Sequence, residues 1–318
     1  LRQIPPIIEI CEDINLICPD AVVFNFSNPM QRICHAVTTK FPDLKFIGLC
    51  HEIKSMNRQL PDLMETEMHN IEYRAAGLNH LSILLEARYK NTGKDGYPII
   101  KQNFDAYFSD LVNKHDAKPS KPGAERGVFR KLFKTYGYLP ITTDSHLGEY
   151  IQWAYSVADH DAILDFYDNY KEKCLAFYDN KTSYDHYFDL NNLDTHERVV
   201  PIIEGILSDS AYEEPAINIP NNGYIECLPK DIVVEVPGII NKSGISGISF
   251  KNYPAAFGSL LNSQSGVIQM TTDAVLNASK HSAYLALLAD PVVNDSYQAE
   301  KLLNNMLETQ GKFLYYLK

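Results

Sequence analysis

Two short apolar runs, Ala21–Phe26 (AVVFNF) and Lys45–Leu49 (KFIGL), flank a stretch of helical character at Gln31–Thr39. Apolar runs of this length, bounded by polar turn residues, are what buried parallel strands look like. A strand, a helix and a second strand in that order make a βαβ unit, and such sheets bind ligands beyond the carboxyl ends of their strands. Asn28 and Cys50 fall at those two ends. Upstream, Ile4–Cys18 has the spacing of an amphipathic helix. Cys11 and Cys18 recur there at a seven-residue step, so both are expected in the core.

The chain has 318 residues, 45% of them hydrophobic and 22% charged, which is enough for a two-part globular body. Its formal charge of −11 argues against nucleic-acid or anionic-membrane partners, because phosphate binding needs clustered Lys and Arg. The six cysteines form no CxxC pair, so neither a zinc knuckle nor a disulfide framework is indicated and a reducing, cytoplasmic setting is expected. No apolar run reaches membrane-spanning length, and no signal peptide precedes the fold. The chain opens with Leu1, already inside a helical pattern, as if it began within a fold.

Further along, a helix is expected at Asn57–Met68, then strand, break and strand in IEYRAAGLNHLSILLEARY, with Gly77–His80 at the break. Helices are expected at Ile100–Asn113, Arg126–Tyr136, Ser145–Lys171 and His196–Leu207, and strands at Ala216–Ile219 and Ile232–Val236, with a turn at Pro220–Gly223. A helical tail runs from about Ala255 and is interrupted near Asp290-Pro291.

The chemistry-bearing pairs are Cys50-His51, at the end of one apolar run, and Asn79-His80, inside a second. A thiolate and an imidazole at strand mouths could hold a divalent metal with positions left open for substrate. Equally, Cys is among the most buried residue types and a buried His is usually a hydrogen-bonded core residue. Asn28-Pro29 by itself reads as a turn. His35, His69, His115, His160, His186, His196 and His281 show no ligand spacing to one another. Lys118–Lys121 and Arg126–Lys134 form a modest basic stretch, either a solvated face or a partner for a sugar carboxylate.

The segments NFSNPMQRICHAV, KFIGLCHEI, RAAGLNHLSIL, YGYLPITTDSHLGEYI and AINIPNNGYIECLPKDIVVEVPGIINKSGI, in that order, resemble the NAD- and manganese-dependent family-four glycoside hydrolases over nearly the whole chain. That resemblance implies an α/β plus α+β fold. A Rossmann half, doubly wound and parallel, would be followed by an α+β domain like the C-terminal domain of lactate and malate dehydrogenases. The expected division is 1–72 for the second half of the NAD-binding domain and 73–318 for the substrate domain. The family's glycine-rich fingerprint, which cradles the pyrophosphate, has no GxGxxG counterpart here, so roughly the first hundred residues of the family fold are expected to lie outside this chain.

The resemblance also implies a mechanism. Family members depart from the two-carboxylate scheme: NAD oxidises C3, a base removes the C2 proton, the C1–O bond breaks by elimination, and water and hydride are added back. The implied metal ligands are Cys50 and His80, with Mn2+ stabilising oxyanions as a Lewis acid; Cys is an unusual ligand for so oxygen-loving an ion. The implied base position falls on Asp144, although an Asp ahead of a helical run also serves as an N-cap; Tyr150 and Tyr138 are further candidates. His51 stands where the phospho-sugar branch carries Asp. It becomes the candidate acid for the leaving group and points to unphosphorylated hexosides or hexuronides. Asn28 and Asn79 match sugar-binding positions, Asn28 also borders the cofactor, and His146 and Glu149 are candidate substrate contacts. A homo-oligomer is the family expectation. Two rivals remain: a 2-hydroxyacid dehydrogenase, which gives no reason for Cys50 with His80, and an inactive fragment.

Overall fold

In the computed structural model, which describes residues 1–114, 126–179 and 198–318, the chain opens with α1 (Ile4–Ile17), β1 (Val22–Asn25), α2 (Met30–Lys40) and β2 (Lys45–Gly48). Prolines stand in the first turn of α1, where their missing N–H has no helical partner to lose. Ile4, Ile8 and Cys11 share one face of α1 and pack against Ile33, Cys34 and Val37 of α2 in a core of their own. Cys18 is exposed, contrary to the expectation from its seven-residue step. It caps α1 at φ −144° and ψ 65°, so the chain has already left the helix and the periodicity no longer applies.

β1 and β2 pair in parallel, Val22 opposite Lys45 through Asn25 opposite Gly48, with α2 as the crossover. β1 lies at the sheet edge and is half-buried rather than enclosed. Next come α3 (Ser55–Met64), the hairpin β3 (Ile71–Leu78) and β4 (Leu81–Tyr89), and α4 (Tyr97–Lys114). The stretch expected as one helix, Ser145–Lys171, is divided: after α5 (Gly127–Tyr136) comes α6 (Asp144–Leu147), then a 3-10 turn, then α7 (His160–Asp179). Gly148 closes the single turn of α6, and Ile151 is extended at φ −118° and ψ 114°. His115, Lys118–Lys121, His186 and His196 lie outside the described residues.

The remaining elements are α8 (Val199–Ser208), β5 (Tyr212–Pro220), β6 (Val233–Asn241), β7 (Gly244–Gly247), α9 (Ala255–Leu276), α10 (Lys280–Ala289), α11 (Ser296–Thr309) and α12 (Gly311–Leu314). Among the described residues the strands form one seven-stranded sheet in the order β1-β2-β5-β6-β3-β4, with β7 on β6. Of these strands among the described residues, β1 and β2 run parallel and the other strand pairs are antiparallel. The fold therefore has the expected classes, a parallel α/β part and an α+β part, stitched into one sheet where β2 meets β5. The large core lies around β3, β4, β6, α3 and α5. No helix among the described residues is long and apolar enough to cross a membrane.

Candidate active site

The parallel strand and the hairpin deliver the two chemistry pairs to one point. Leu49 continues the β2 pairing by donating to the Asn25 carbonyl at 3.0 Å, and Cys50 and His51 follow at the strand mouth. From the other side, Leu78 pairs with Leu81, so Asn79 and His80 form the whole turn of the hairpin. His80 sits at φ 62°, a left-handed conformation that is uncommon for non-glycine residues but that His adopts more readily than most, as a tight hairpin turn requires. The Cys50 Sγ and His80 Nε2 atoms are 3.6 Å apart.

Around this pair stand two residues from Ser145–Glu149 and one from the β2 loop. The His146 ring stacks on His80 with centroids 4.0 Å apart. His146 Nδ1 faces Glu149 Oε1 at 3.5 Å, and Nε2 faces Glu52 Oε1 at 3.9 Å. Ligand atoms of Glu52, His80 and His146 all lie within 4.8 Å of one another, a group that shares His80 but not Cys50 with the expected pair.

Burial, with the positive form of His146 as a secondary cause, pushes the His80 imidazole down to about 4. It is thus neutral at pH 7 and its ring nitrogen can ligate. Burial and the nearby Glu235 carboxylate push the Cys50 thiol up to about 12, so a cation bound there must displace a proton. The thiol and the neutral imidazole hydrogen-bond to each other as they stand, and the same two atoms could hold a divalent metal that displaced the thiol proton.

Other expected residues take different places. Asp144 is completely buried, and its oxygens accept from the amides of Val128 and Phe129, each at 2.8 Å. It caps the N-terminus of α5, not of the helix it begins, and satisfies amides that the helix leaves without partners. Burial pushes its carboxyl up to about 6 against the pull of those amides. Tyr150 is half-buried, and desolvation pushes its hydroxyl up to about 12 against the pull of nearby Arg32; Tyr138 packs edge-to-face on Tyr97. Asn79 is buried too, and its side-chain amide donates to Glu235 at 2.8 Å rather than facing solvent.

Asn28 is exposed at the end of β1, its side-chain oxygen accepting from Met30 N at 3.3 Å. His51 is exposed beside Cys50, and both line a cleft of about 480 Å³ with Lys54, Tyr73, Arg198 and Glu214. Glu149 lines a second cleft with Trp153 and Tyr155. Arg130 and Lys134 face Asp105, the solvated-face reading of the basic stretch. His35 is a core histidine bonded to Gln269.

Glu52 and Glu235 escaped the sequence reading. Glu235 did leave a signal: it is the one charged residue in Ile232–Val236, as Asn218 is the one polar side chain in Ala216–Ile219.

Comparison with known proteins gives the class first. The fold matches a solved 6-phospho-α-glucosidase from gut microorganisms, a structure in complex with NAD and Mn2+, at a TM-score of 0.77 and 19% identity, over 98% of this chain and 72% of that one. The model of the Family 4 glycosyl hydrolase C-terminal domain matches residues 75–293, and that of Family 4 glycosyl hydrolase matches residues 1–66. An α-glucosidase of Erwinia rhapontici is 42% identical over 343 residues, covering 100% of this chain and 73% of that protein. An α-galacturonidase of Thermoanaerobacterium saccharolyticum is 29% identical, over 99% and 71% respectively. The chain belongs to the family 4 glycosyl hydrolases.

Proposed function

We propose that this chain serves an NAD- and Mn2+-dependent glycosidase that opens O-glycosidic bonds of unphosphorylated hexosides or hexuronides by oxidation and elimination. The observation that carries this reading is the meeting of Cys50 Sγ and His80 Nε2 at 3.6 Å, from two separate parts of the sheet. The 42% identity to an α-glucosidase supports a glucoside as substrate. Residues 1–72 would serve the cofactor and 73–318 the sugar.

Cys50 and His80 would hold the cation, and Asn28, exposed beside the carboxyl ends of the parallel strands, would border NAD. When bound, NAD would exchange a hydride with C3 while the cation polarised the neighbouring sugar oxygens. The proton at C2 needs a base beside the metal pair that is not spent on capping a helix. Asp144 has both oxygens committed to α5. His146 lies on the ring of His80, with its nitrogens facing Glu149 and Glu52, and in this reading it takes the proton. His51, next to Cys50 in the cleft, donates to the departing oxygen. Asn79 fixes the His80 turn from inside through its bond to Glu235.

Turnover of an α-glucoside in D2O tests the scheme. Deuterium at C2 of the released sugar, dependent on added NAD and Mn2+, is the expected result; release without label at C2 would overturn it.

A further inference from the structure

The sheet register aligns one row of residues beneath the metal pair. Asn25 faces Gly48, Gly48 faces Asn218, Asn218 faces Glu235, Glu235 faces Gly77, and Gly77 faces Ser82. Residues paired across strands share a face of the sheet. Every residue in the row is therefore either polar or a glycine on the same side. The glycines leave the space: a Cβ on Gly48 would lie 2.5 Å from Met30 Sδ and 2.9 Å from Asn218 Cβ, and one on Gly77 would lie 2.8 Å from Ser82 Cβ. Cys50 follows Gly48 by two residues and His80 follows Gly77 by three, so the pair lies just beyond the ends of two strands that carry the row.

Glu235 is the charged member. It is 3% exposed, and its carboxylate accepts from Asn79 Nδ2 at 2.8 Å, Asn218 Nδ2 at 3.1 Å and Ser82 Oγ at 3.1 Å. All three donors are neutral, and among the described residues no cation pairs with it. Buried carboxylates are ordinarily paired with a cation or a metal, because burial of a lone charge is expensive. Asn79, the nearest donor, immediately precedes His80, and the Asn79 amide is itself held by Gln31 of α2 at 3.0 Å. A dication with one thiolate and one neutral imidazole keeps one positive charge, which would hold Glu235 ionised against the burial that pushes its carboxyl above the usual carboxylate range.

We propose that Glu235 is the buried counter-charge of this centre and the positioning residue of the Asn79–His80 turn. Its charge makes Cys50 and His80 a site for a divalent cation. The proposal rests on the reading of Cys50 and His80 as the residues that hold the cation.

The test is Mn2+ titration of the purified chain, followed by the electron paramagnetic resonance of free Mn2+ and paired with melting curves of the metal-free protein. Glu235→Gln keeps size and removes charge; it is expected to weaken Mn2+ binding by about 10–100-fold, the usual cost of an outer-sphere partner, without lowering the metal-free melting temperature. A loss smaller than about fivefold overturns the proposal. If Glu235→Gln does not fold, Glu235→Asp decides instead, because it keeps the charge: a loss below about fivefold supports the proposal and a larger one overturns it. Cys50→Ser separates the two readings. If it binds Mn2+ as well as the wild type, the metal pair itself is wrong; if it loses the metal while Glu235→Gln keeps it, only the role of Glu235 fails.

Discussion

Asp144 and Glu235 are both buried carboxylates within a few residues of the same site, yet they are satisfied differently. Asp144 accepts from two backbone amides at a helix N-terminus, donors that the fold supplies and would otherwise leave unpaired. Glu235 accepts only from neutral side chains, two amides and a hydroxyl, each a specific choice of residue. The first arrangement is complete within the chain. The second leaves a carboxyl that burial pushes up beside the Cys50–His80 pair, and under the proposal its balance lies in a cation. Buried carboxylates near an active site thus divide by what their partners are, not by how deep they lie.

The largest effect should come from the pair that Glu235 underlies. Cys50→Ser and His80→Ala remove a ligand outright, and each should weaken Mn2+ binding by at least about 100-fold, beyond the usual outer-sphere loss. Titration would break the comparison if Mn2+ bound either variant normally, since Glu235 would then have no cation to balance.

Asp144→Ala should act on stability instead. Loss of a buried cap and two orphaned amides should cost about 2–3 kcal/mol, a fall of roughly 5–10 °C in melting temperature for a domain of this size, with Mn2+ affinity kept. Calorimetry beside the Mn2+ titration checks both halves. Weakened metal binding at unchanged stability would make Asp144 part of the centre.

A smaller effect concerns pH. Burial lowers the folded-state value of His80 to about 4 from 6.5, so its neutral form is favoured by folding. The associated stability is fully present above 6.5 and is lost as the pH falls through about 4. The metal-free wild type should therefore lose stability faster than His80→Gln between these values, and parallel melting curves would refute it. The smallest change is Ser82→Ala, which removes one of three donors to Glu235: about 1 kcal/mol of stability, with Mn2+ affinity nearly unchanged. A loss of metal as large as that of Glu235→Gln would show that hydrogen bonds rather than charge set the affinity.

Much of the fold was legible because parallel strands flanked by helices are continuous apolar runs. β1, α2 and β2 appear within a residue or two of the expected bounds. The βαβ rule also put Cys50 at a strand mouth. What failed was periodicity carried past its helix. Cys18 keeps the seven-residue step but lies one residue beyond the end of α1, and Ser145–Lys171 has helical spacing across a real break at Gly148. Asp144 could be read as a cap, but its helix is the preceding one, α5, a choice made by packing. Glu235 could have been noticed as a charge inside an apolar strand, since such a residue must find donors somewhere.

The order of apolar runs, turn residues and polar exceptions determined the strands, the hairpin and the presence of a thiol and an imidazole at their ends. Local sequence can do this because backbone propensity and hydrophobic period act over a few residues. Whether those two atoms met, which helix Asp144 capped and what Glu235 faced were decided only in the folded sheet. Those facts depend on register between strands far apart in the chain, where β5 and β6 run between β2 and β3 and place Glu235 beneath the turn of His80.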